Sequence, residues 1–233
     1  MRVTNRTMTN NLLRNLNQGK TRLDKLNFQL ATGKTVNVPS DNPVKTGSIM
    51  RLSSSVRETE QYLRNTDHAI SWLEATDTVL RDVTSIIHRV RALAVQGANE
   101  TNDESARKAL ADEIEQLAYS LEALANSTHT GRYLFAGQSV GQKPFSESET
   151  DFLKFEYQGD DQEIVFEIGV SAKIPVSIPG DKIFEPVFDA IKQIYGELTG
   201  TAEGQDGLEL LDEALDTVLS HQSHVGALQN RVE

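Results

Sequence analysis

The 233-residue sequence contains no cysteine, so it has no disulfide framework and no thiolate metal site. Aromatic residues make up 6% of the chain and apolar residues 38%, which is little for a compact globular domain. The chain is instead rich in leucine, alanine, glutamate and arginine. This composition is typical of long, thin helical structures, which have little interior per residue.

Long apolar runs are also missing. No stretch approaches the roughly 18 consecutive apolar residues that a membrane-spanning helix needs, and residues 1–10 lack the apolar segment of a secretory signal. We therefore expect a protein that either stays in the cytoplasm or is exported without a cleavable signal peptide.

The charge is unevenly distributed along the chain. Residues 1–40 hold seven basic residues and only one acidic residue, Asp24, so this segment carries +6 and the remainder −17 of the net −11. A basic arm on an acidic body indicates nucleic acid or anionic lipid as partner, or packing of the arm on acidic parts of a neighbouring subunit. Phe28 is the one aromatic residue in the arm, so no base-stacking platform is visible and nucleic acid is the weaker interpretation.

The N-terminal arm has the seam of a coiled coil. Intervals of four and three residues alternate between its apolar positions, which places them at the a and d positions of a heptad. A seam this narrow cannot bury itself, so the arm needs a partner helix or is disordered in isolation. The alternative is a surface helix packed on its own body. The seam comprises Leu12, Leu16, Leu23, Leu26 and Leu30, with Gly19 as its weak position.

A very long second helix is predicted after the arm. Asn42 can cap it and Pro43 suits its first position, and no Pro or Gly cluster interrupts residues 48–96. Two apolar stripes share this helix, which indicates two neighbours and hence a bundle of three or more helices. One stripe runs through Ile49, Leu52, Val56, Leu63, Ile70, Leu73, Leu80, Ile87 and Ala94, and the other through Trp72, Val79, Val83, Ile86, Val90 and Leu93.

The remaining chain predicts a return helix, a β-rich insertion and closing helices. The return helix follows the break at 97–103 and extends to Thr128, antiparallel to the second helix. Alternation at 155–157 and 164–168 around a turn predicts a β-hairpin, and residues 170–178, broken by Pro175, are compatible with an edge strand. Helical spacing resumes at Val187 and again from Leu208 to Val232, with no stop signal at Glu233.

These patterns predict a mainly α fold: an elongated bundle of long coiled-coil-like helices with a small inserted β-rich domain and an N-terminal heptad arm. The predicted division is 1–40 for the arm, 41–135 and 185–233 for the helical bundle, and 136–184 for the insertion. The unfinished end at Glu233 suggests a truncated product.

Gly33-Lys34-Thr35 resembles the end of a phosphate-binding loop, but the pattern requires glycine where Phe28 stands. A phosphate loop also follows a strand and opens a helix, whereas this one follows a helix. We therefore predict that Gly33 ends the arm helix in the left-handed conformation.

The histidines give no clear metal site. His221 and His224 have a helical spacing that could bind a metal, yet no third ligand is close in sequence, so we expect hydrogen-bonded or solvated side chains. Motifs of common hydrolases, zinc proteases and dinucleotide-binding enzymes are absent. We predict no enzyme activity, no catalytic residue, no cofactor and no metal.

Four motifs, in this order and spacing, resemble the flagellin family over essentially the whole chain. Ala31–Asn37 and Ser40–Val44 lie near the end of the arm, Gly131–Gly137 (GRYLFAG) follows the return helix, and Val225–Val232 lies near the end of the chain. Each motif alone is modest, and the resemblance depends on all four.

The sequence departs from the family pattern in two respects. Members of the family normally have a second, C-terminal arm helix that pairs with the N-terminal one, and we expect this chain to lack it. Asn42-Pro43 and the aromatic turn Tyr133–Gly137 favour a hook-associated member over flagellin itself.

The resemblance implies a structural protein of the bacterial flagellum that forms a ring and joins the hook region to the filament. The implied partners are further copies of itself, another hook-associated protein on the hook side, flagellin on the filament side and the flagellar export machinery, with no nucleic acid and no membrane. The implied location is extracellular. A joint between arm and body would comprise Gly33, Asn37, Ser40, Asp41, Asn42 and Pro43.

Two alternatives remain open at this stage. One is a flagellin subunit of the filament. The other, of a different class, is a cytoplasmic helical binding protein that uses its basic arm on nucleic acid or lipid.

Overall fold

The structure, a computed structural model, describes residues 2–40, 42–98, 103–148, 152–202 and 206–232. These residues form five helices and short strands between the third and fourth, so the predicted mainly α fold with a small β insertion is confirmed. Contacts divide the chain into two units, residues 1–60 and 61–233. The helices are α1 (Arg2–Thr32), α2 (Pro43–Gly97), α3 (Glu104–Ala125), α4 (Asp181–Thr199) and α5 (Gly207–Val232).

The buried face of α2 begins at Ala69. Upstream of it, Ile49, Leu52, Val56 and Leu63 are between 46% and 67% exposed. Among the described residues, the apolar side chains of α2 are therefore mostly buried from Ala69 onward and largely exposed before it. An apolar pattern shows which face can be buried, and a second element must still reach that face to bury it.

From Ala69 onward, α2 shares one apolar core with α3, α4 and α5. Polar contacts between helices mark its edges: Arg89 pairs with Glu113 across α2 and α3, and Arg91 Nε lies 2.9 Å from Asp212 Oδ1 across α2 and α5. Solvent screens such exposed pairs, so apolar burial holds the bundle together. Large, fully buried side chains of this core include Leu73, Leu80, Ile87, Ile114, Leu121 and Phe184.

Helix α3 ends at Ala125, so the predicted extension to Thr128 is wrong. Asn126 is the reason, because its side chain brackets the backbone of Phe145: Nδ2 donates to Phe145 O at 3.0 Å, and Phe145 N donates to Oδ1 at 3.0 Å. At its start, the Asp103 side chain accepts from Ala106 N at 2.7 Å as an N-cap.

Helix α4 begins at Asp181, six residues before the helical spacing recognised at Val187. Pro186 lies inside its second turn and conceals the start, because proline normally ends a helical pattern. Ile183 and Phe184 are fully buried and belong to the same apolar face as Val187. The tertiary burial of this face therefore outweighs the local cost of the proline.

The strands form three two-stranded antiparallel ribbons, and the predicted hairpin between 155–157 and 164–168 is wrong. Each segment pairs with another neighbour in sequence. The ribbons are β1 (Thr128–His129) with β2 (Arg132–Tyr133), β3 (Phe145–Glu147) with β4 (Phe155–Tyr157), and β5 (Val165–Gly169) with β6 (Ala172–Pro175).

The turn after β4 does not place β5 beside β4, because hydrogen bonds hold this turn against the loop at Ala136. Gln158 N donates to Pro144 O at 2.7 Å, and Asp160 N donates to Ala136 O at 3.1 Å. Tyr157 Oη donates to Phe135 O at 3.0 Å. These bonds tie the turn to the segment after β2, and β5 then pairs with β6 at the position of the predicted edge strand.

An aromatic cluster joins the ribbons to the start of α4. Phe135 and Phe184 meet edge to face with ring centroids 4.8 Å apart, and Phe155 and Phe188 lie 4.4 Å apart. Such pairs contribute about 0.5–1.5 kcal/mol beyond burial. Burial at the edge of this cluster raises the pKa of Tyr157 to about 12, so its phenol remains a neutral donor.

We expect Gly137→Ala to destabilise the chain by roughly 3 kcal/mol or more. Gly137 has φ +62°, and a Cβ there would collide with the backbone carbonyl of Asp160, which the ribbons hold in place. The matched control is Gly131→Ala, which has φ +78° but open space, so we expect only about 1 kcal/mol. Urea unfolding measures both, and equal losses would contradict the proposed close approach.

We also expect His221 to make the fold less stable in acid. Burial, and then the nearby positive charges of His224 and Lys182, lower its pKa below the ordinary 6.5. The unfolded chain therefore takes up this proton first, and stability is lost as pH falls from about 6.5 through the lowered pKa. His221→Gln should show a smaller drop in Tm between pH 7.5 and 5.5 than the parent chain. A drop in His221→Gln as large as that of the parent chain would contradict this role of His221.

Candidate assembly surface

The five seam leucines lie on α1, and all of them are exposed, from 49% at Leu26 to 82% at Leu30. Every described side chain of this helix is exposed except that of Gln29, which is half-buried. The structure thus brings the leucines onto one helix and leaves that helix without a covered face among the described residues.

A helix with this exposure gains little stability from the rest of the chain. Isolated helices are marginal in water, because nucleation is costly and propagation gains little per residue. Full burial of a leucine side chain contributes about 1.5–3 kcal/mol. A partner helix on the seam would therefore supply most of the stability of α1.

Sequence reasoning missed the upstream end of the seam. Met8 lies four residues before Leu12, continues the same face and is exposed. The spacing was available as a signal, but methionine is less distinctive than a run of leucines. Leu13 and Phe28 are also exposed on α1, away from the seam.

The segment after α1 begins with Gly33, whose φ of +66° is the left-handed conformation expected of a residue that ends a helix. The chain then folds back on the last turn of α1, where Gln29 Nε2 donates to Thr35 O at 2.8 Å. Within the segment itself, Asn37 Nδ2 donates to Lys34 O at 3.3 Å. Gly33-Lys34-Thr35 closes a helix instead of opening one. The helix N-terminus that a phosphate loop requires is therefore missing at this motif.

The start of α2 has the predicted punctuation. Asn42 Oδ1 accepts from Lys45 N at 3.0 Å, which is N-capping geometry, and Pro43 is the first residue of the helix. Ser40 is exposed at the preceding turn, and Asp41 lies outside the described residues. The structure therefore places Gly33 and Asn42 at two helix ends, and their role as a joint stays a prediction.

No grouping of three or more His, Cys, Asp or Glu side chains that could hold a metal ion occurs in the described ranges. Within the same ranges, no helix is both long and apolar enough to cross a membrane. The concentration of exposed apolar side chains on α1 and on α2 before Ala69 is the feature with the most direct functional meaning, because it fits contacts with other helices.

Comparison with known families agrees with this picture. A family model described as the bacterial flagellin N-terminal helical region matches residues 3–140, which extends from α1 to the segment after β2.

Individual relatives match most of the chain. Flagellar hook-associated protein 3 of Escherichia coli (strain K12) is 29% identical over 216 residues, covering 92% of this chain and 66% of that protein. A flagellin of Halalkalibacterium halodurans is 27% identical over 219 residues, covering 94% of this chain and 71% of that protein. The chain thus spans about two thirds of the length of these curated relatives.

A crystal structure of flagellar hook-associated protein-3 from Legionella pneumophila has the same fold. Its TM-score is 0.73 at 16% sequence identity, covering 79% of this chain and 92% of that one. The family model covers more than half of the chain and includes the arm, α2, α3 and the first ribbon. The chain therefore belongs to the bacterial flagellin family.

Proposed function

We propose that the chain is a structural subunit of the bacterial flagellum, a hook-associated member of the family that assembles with its own copies into a ring joining hook region and filament. The exposed leucine seam of α1 carries this proposal. A 31-residue helix whose described side chains are almost all exposed gains most of its stability from a partner, and in a self-assembling protein neighbouring subunits supply one.

We propose a separate role for each segment of the chain. Residues 1–40 form the assembly arm, 41–135 and 185–233 the helical bundle, and 136–184 the insertion. The segment from Gly33 to Pro43 is the joint between the part that assembles and the part that folds alone.

The proposed partners are further copies in the ring, another hook-associated protein on the hook side, flagellin on the filament side and the flagellar export machinery. The proposed location is the flagellum outside the cell. Relatives named as a flagellar hook-associated protein and as flagellin, each aligned over more than nine tenths of this chain, support both proposals.

A flagellin subunit of the filament is the second candidate. The sequence identity to a flagellin, 27%, is close to the 29% identity to the hook-associated protein, and this similarity supports the second candidate. Immunogold labelling distinguishes the two, because a filament subunit labels the whole filament and a hook-associated subunit labels a band at its base.

We expect Leu16→Asp combined with Leu23→Asp to abolish incorporation into flagella. Both side chains are more than 60% exposed, so the change leaves the body's free energy of unfolding unchanged while placing two charges in the proposed interface. The protein is expressed from its own gene, and immunogold counts on flagella measure incorporation.

Leu13→Asp is the matched control, since Leu13 is exposed on α1 but away from the seam. We expect it to keep at least half of the parent incorporation. Parent-level incorporation of the double seam variant would contradict the proposal. Binding of nucleic acid that weakens steeply with salt, and that is lost with Arg14 and Arg22 but not with the leucines, would favour the rival cytoplasmic binding protein.

Limited proteolysis provides an independent prediction. In the isolated subunit we expect the first cuts within 1–40, because α1 has no covered face, whereas assembled flagella should protect the same segment. Mass spectrometry of the fragments locates the cuts. An isolated chain protected throughout 1–40 would show that the arm does not depend on assembly.

A further inference from the structure

Gly19 interrupts the leucine seam of α1 near its centre. Leu12 and Leu26 lie seven residues before and after it, and Leu16 and Leu23 lie three and four residues away. Each of these four leucines is at least 49% exposed. At about 100° per residue, Gly19 belongs to the same face as the leucines. The seam therefore has a gap, the size of one side chain, between two pairs of leucines.

Nothing in the described part of the chain requires a glycine at this position. The backbone of Gly19 does not have a positive φ, and a Cβ built there would meet no atom within 4 Å. Alanine would therefore fit the free chain without strain. Glycine destabilises a helix interior more than any other residue except proline. Helix α1 thus loses stability at Gly19 and gains no contact in return among the described residues.

The position of Gly19 distinguishes it from other helical glycines. Among the described helices, Gly47 and Gly226 also have open space where a Cβ would lie. Gly47 lies roughly 200° round α2 from Ile49, on the side away from the exposed apolar stripe. Gly226 lies on α5, whose apolar face is buried in the core of the body. Gly19 is the glycine of this set that lies on an exposed leucine seam.

A glycine on a helix face lets another group come close to the backbone. The distance between two packed helix axes depends on the side chains at their contact. A partner helix on the seam can therefore come closer to α1 at Gly19 than at the leucines. A large side chain of that partner can fill the gap that the glycine leaves.

The charges beside Gly19 indicate the chemistry of this partner. Lys20 lies roughly 100° round the helix on one side of Gly19 and Arg22 roughly 60° on the other, so both flank the seam. Asp24, the one acidic residue of the arm, lies farther round, at about 140°. Charges beside an apolar seam select the partner helix. A second α1 would place basic residues against basic residues, so the favoured partner is a different helix with acidic residues beside its apolar face.

We propose that Gly19 is the point where the partner helix comes closest to α1, with a large apolar side chain of the partner in the gap and acidic side chains beside Lys20 and Arg22. This inference rests on the proposed function, because it takes the seam as the assembly surface. The stability that free α1 loses at the glycine is regained in the assembly. Gly19 thus determines which helices fit the seam.

Two interpretations of Gly19 predict opposite results for Gly19→Leu in the protein expressed from its own gene. If Gly19 were only a weak position, a leucine would complete the seam and incorporation into flagella would rise. Under the proposal, the new side chain takes the space of the partner's side chain. Immunogold counts should then show incorporation falling roughly tenfold or more, as expected of overpacking.

Gly19→Ala separates the stability of α1 from its assembly. Alanine favours the helix, so the isolated subunit should gain helix content by circular dichroism and be cut more slowly within residues 1–40. Incorporation should nevertheless fall roughly threefold, because the methyl group lies at the closest contact. A more stable arm that assembles less well is the result that this proposal requires.

Thr21 provides matched controls on the same helix. It is exposed and lies roughly 200° round α1 from Gly19, away from the seam. Thr21→Ala raises helix propensity without touching the seam, and Thr21→Leu adds the same apolar bulk as Gly19→Leu. Both should incorporate like the parent. An equal loss in the Thr21 variants would attribute the effect to arm stability or bulk in general and would overturn the inference.

A charge reversal tests the flanks of the partner. Lys20→Glu with Arg22→Glu should lower incorporation roughly tenfold, because like charges would then meet beside the seam. Arg6→Glu with Arg14→Glu makes the same change about 140° round α1 from Gly19 and should incorporate like the parent. Equal incorporation of the two charge variants would contradict a partner with acidic flanks.

The leucine variants distinguish this inference from the proposed function. Parent-level or higher incorporation of Gly19→Leu, together with loss in Leu16→Asp with Leu23→Asp, would leave the proposed function standing and overturn the close approach at Gly19. Parent-level incorporation of both variants would overturn the two together.

Discussion

The burial of the apolar face of α2 from Ala69 onward is the interaction on which the other elements depend. Side chains of α3, α4 and α5 share one core with this face, and apolar burial of this kind contributes roughly 25 cal/mol per Å². The same helix extends upstream with a similar pattern, yet Leu52 and Val56 remain exposed there. One continuous helix therefore supplies both core and free surface, and the change occurs where partner helices begin.

The β insertion is stable because of what it packs against. Two-stranded ribbons of two to five residues are marginal alone, since they bury little and leave most backbone groups to water. Here Phe135 and Phe145 are fully buried against Phe184 of α4. The aromatic cluster thus couples the ribbons to the helical core, and Asn126 and Tyr157 orient the loops by bonding to backbone.

The distribution of charge and the distribution of exposed apolar surface both favour contacts with other subunits. The arm has an exposed leucine seam and a net positive charge, while the rest of the chain is strongly acidic. A chain that stays alone gains nothing from either feature. In the proposed assembly of identical subunits, the apolar seam would contribute affinity.

The family match and the exposure of the arm concern the same part of the chain. The family model rests on residues 3–140 and thus on α1, α2 and α3 together. Leu12, Leu16 and Leu23 are exposed, so their burial requires a partner helix. Sequence similarity alone does not give this physical reason.

The sequence by itself determined the features that depend on a few neighbouring residues. The heptad intervals placed five leucines on one helix, Gly33 marked the end of α1, and Asn42 with Pro43 marked the start of α2. Tertiary structure decided which apolar faces have partners, which strands pair, and where α3 and α4 begin or end. Asn126 meets Phe145, Asp160 meets Ala136, and the face of α4 is buried despite Pro186. These contacts join residues that lie far apart in sequence, and a local sequence pattern does not show which distant residues meet.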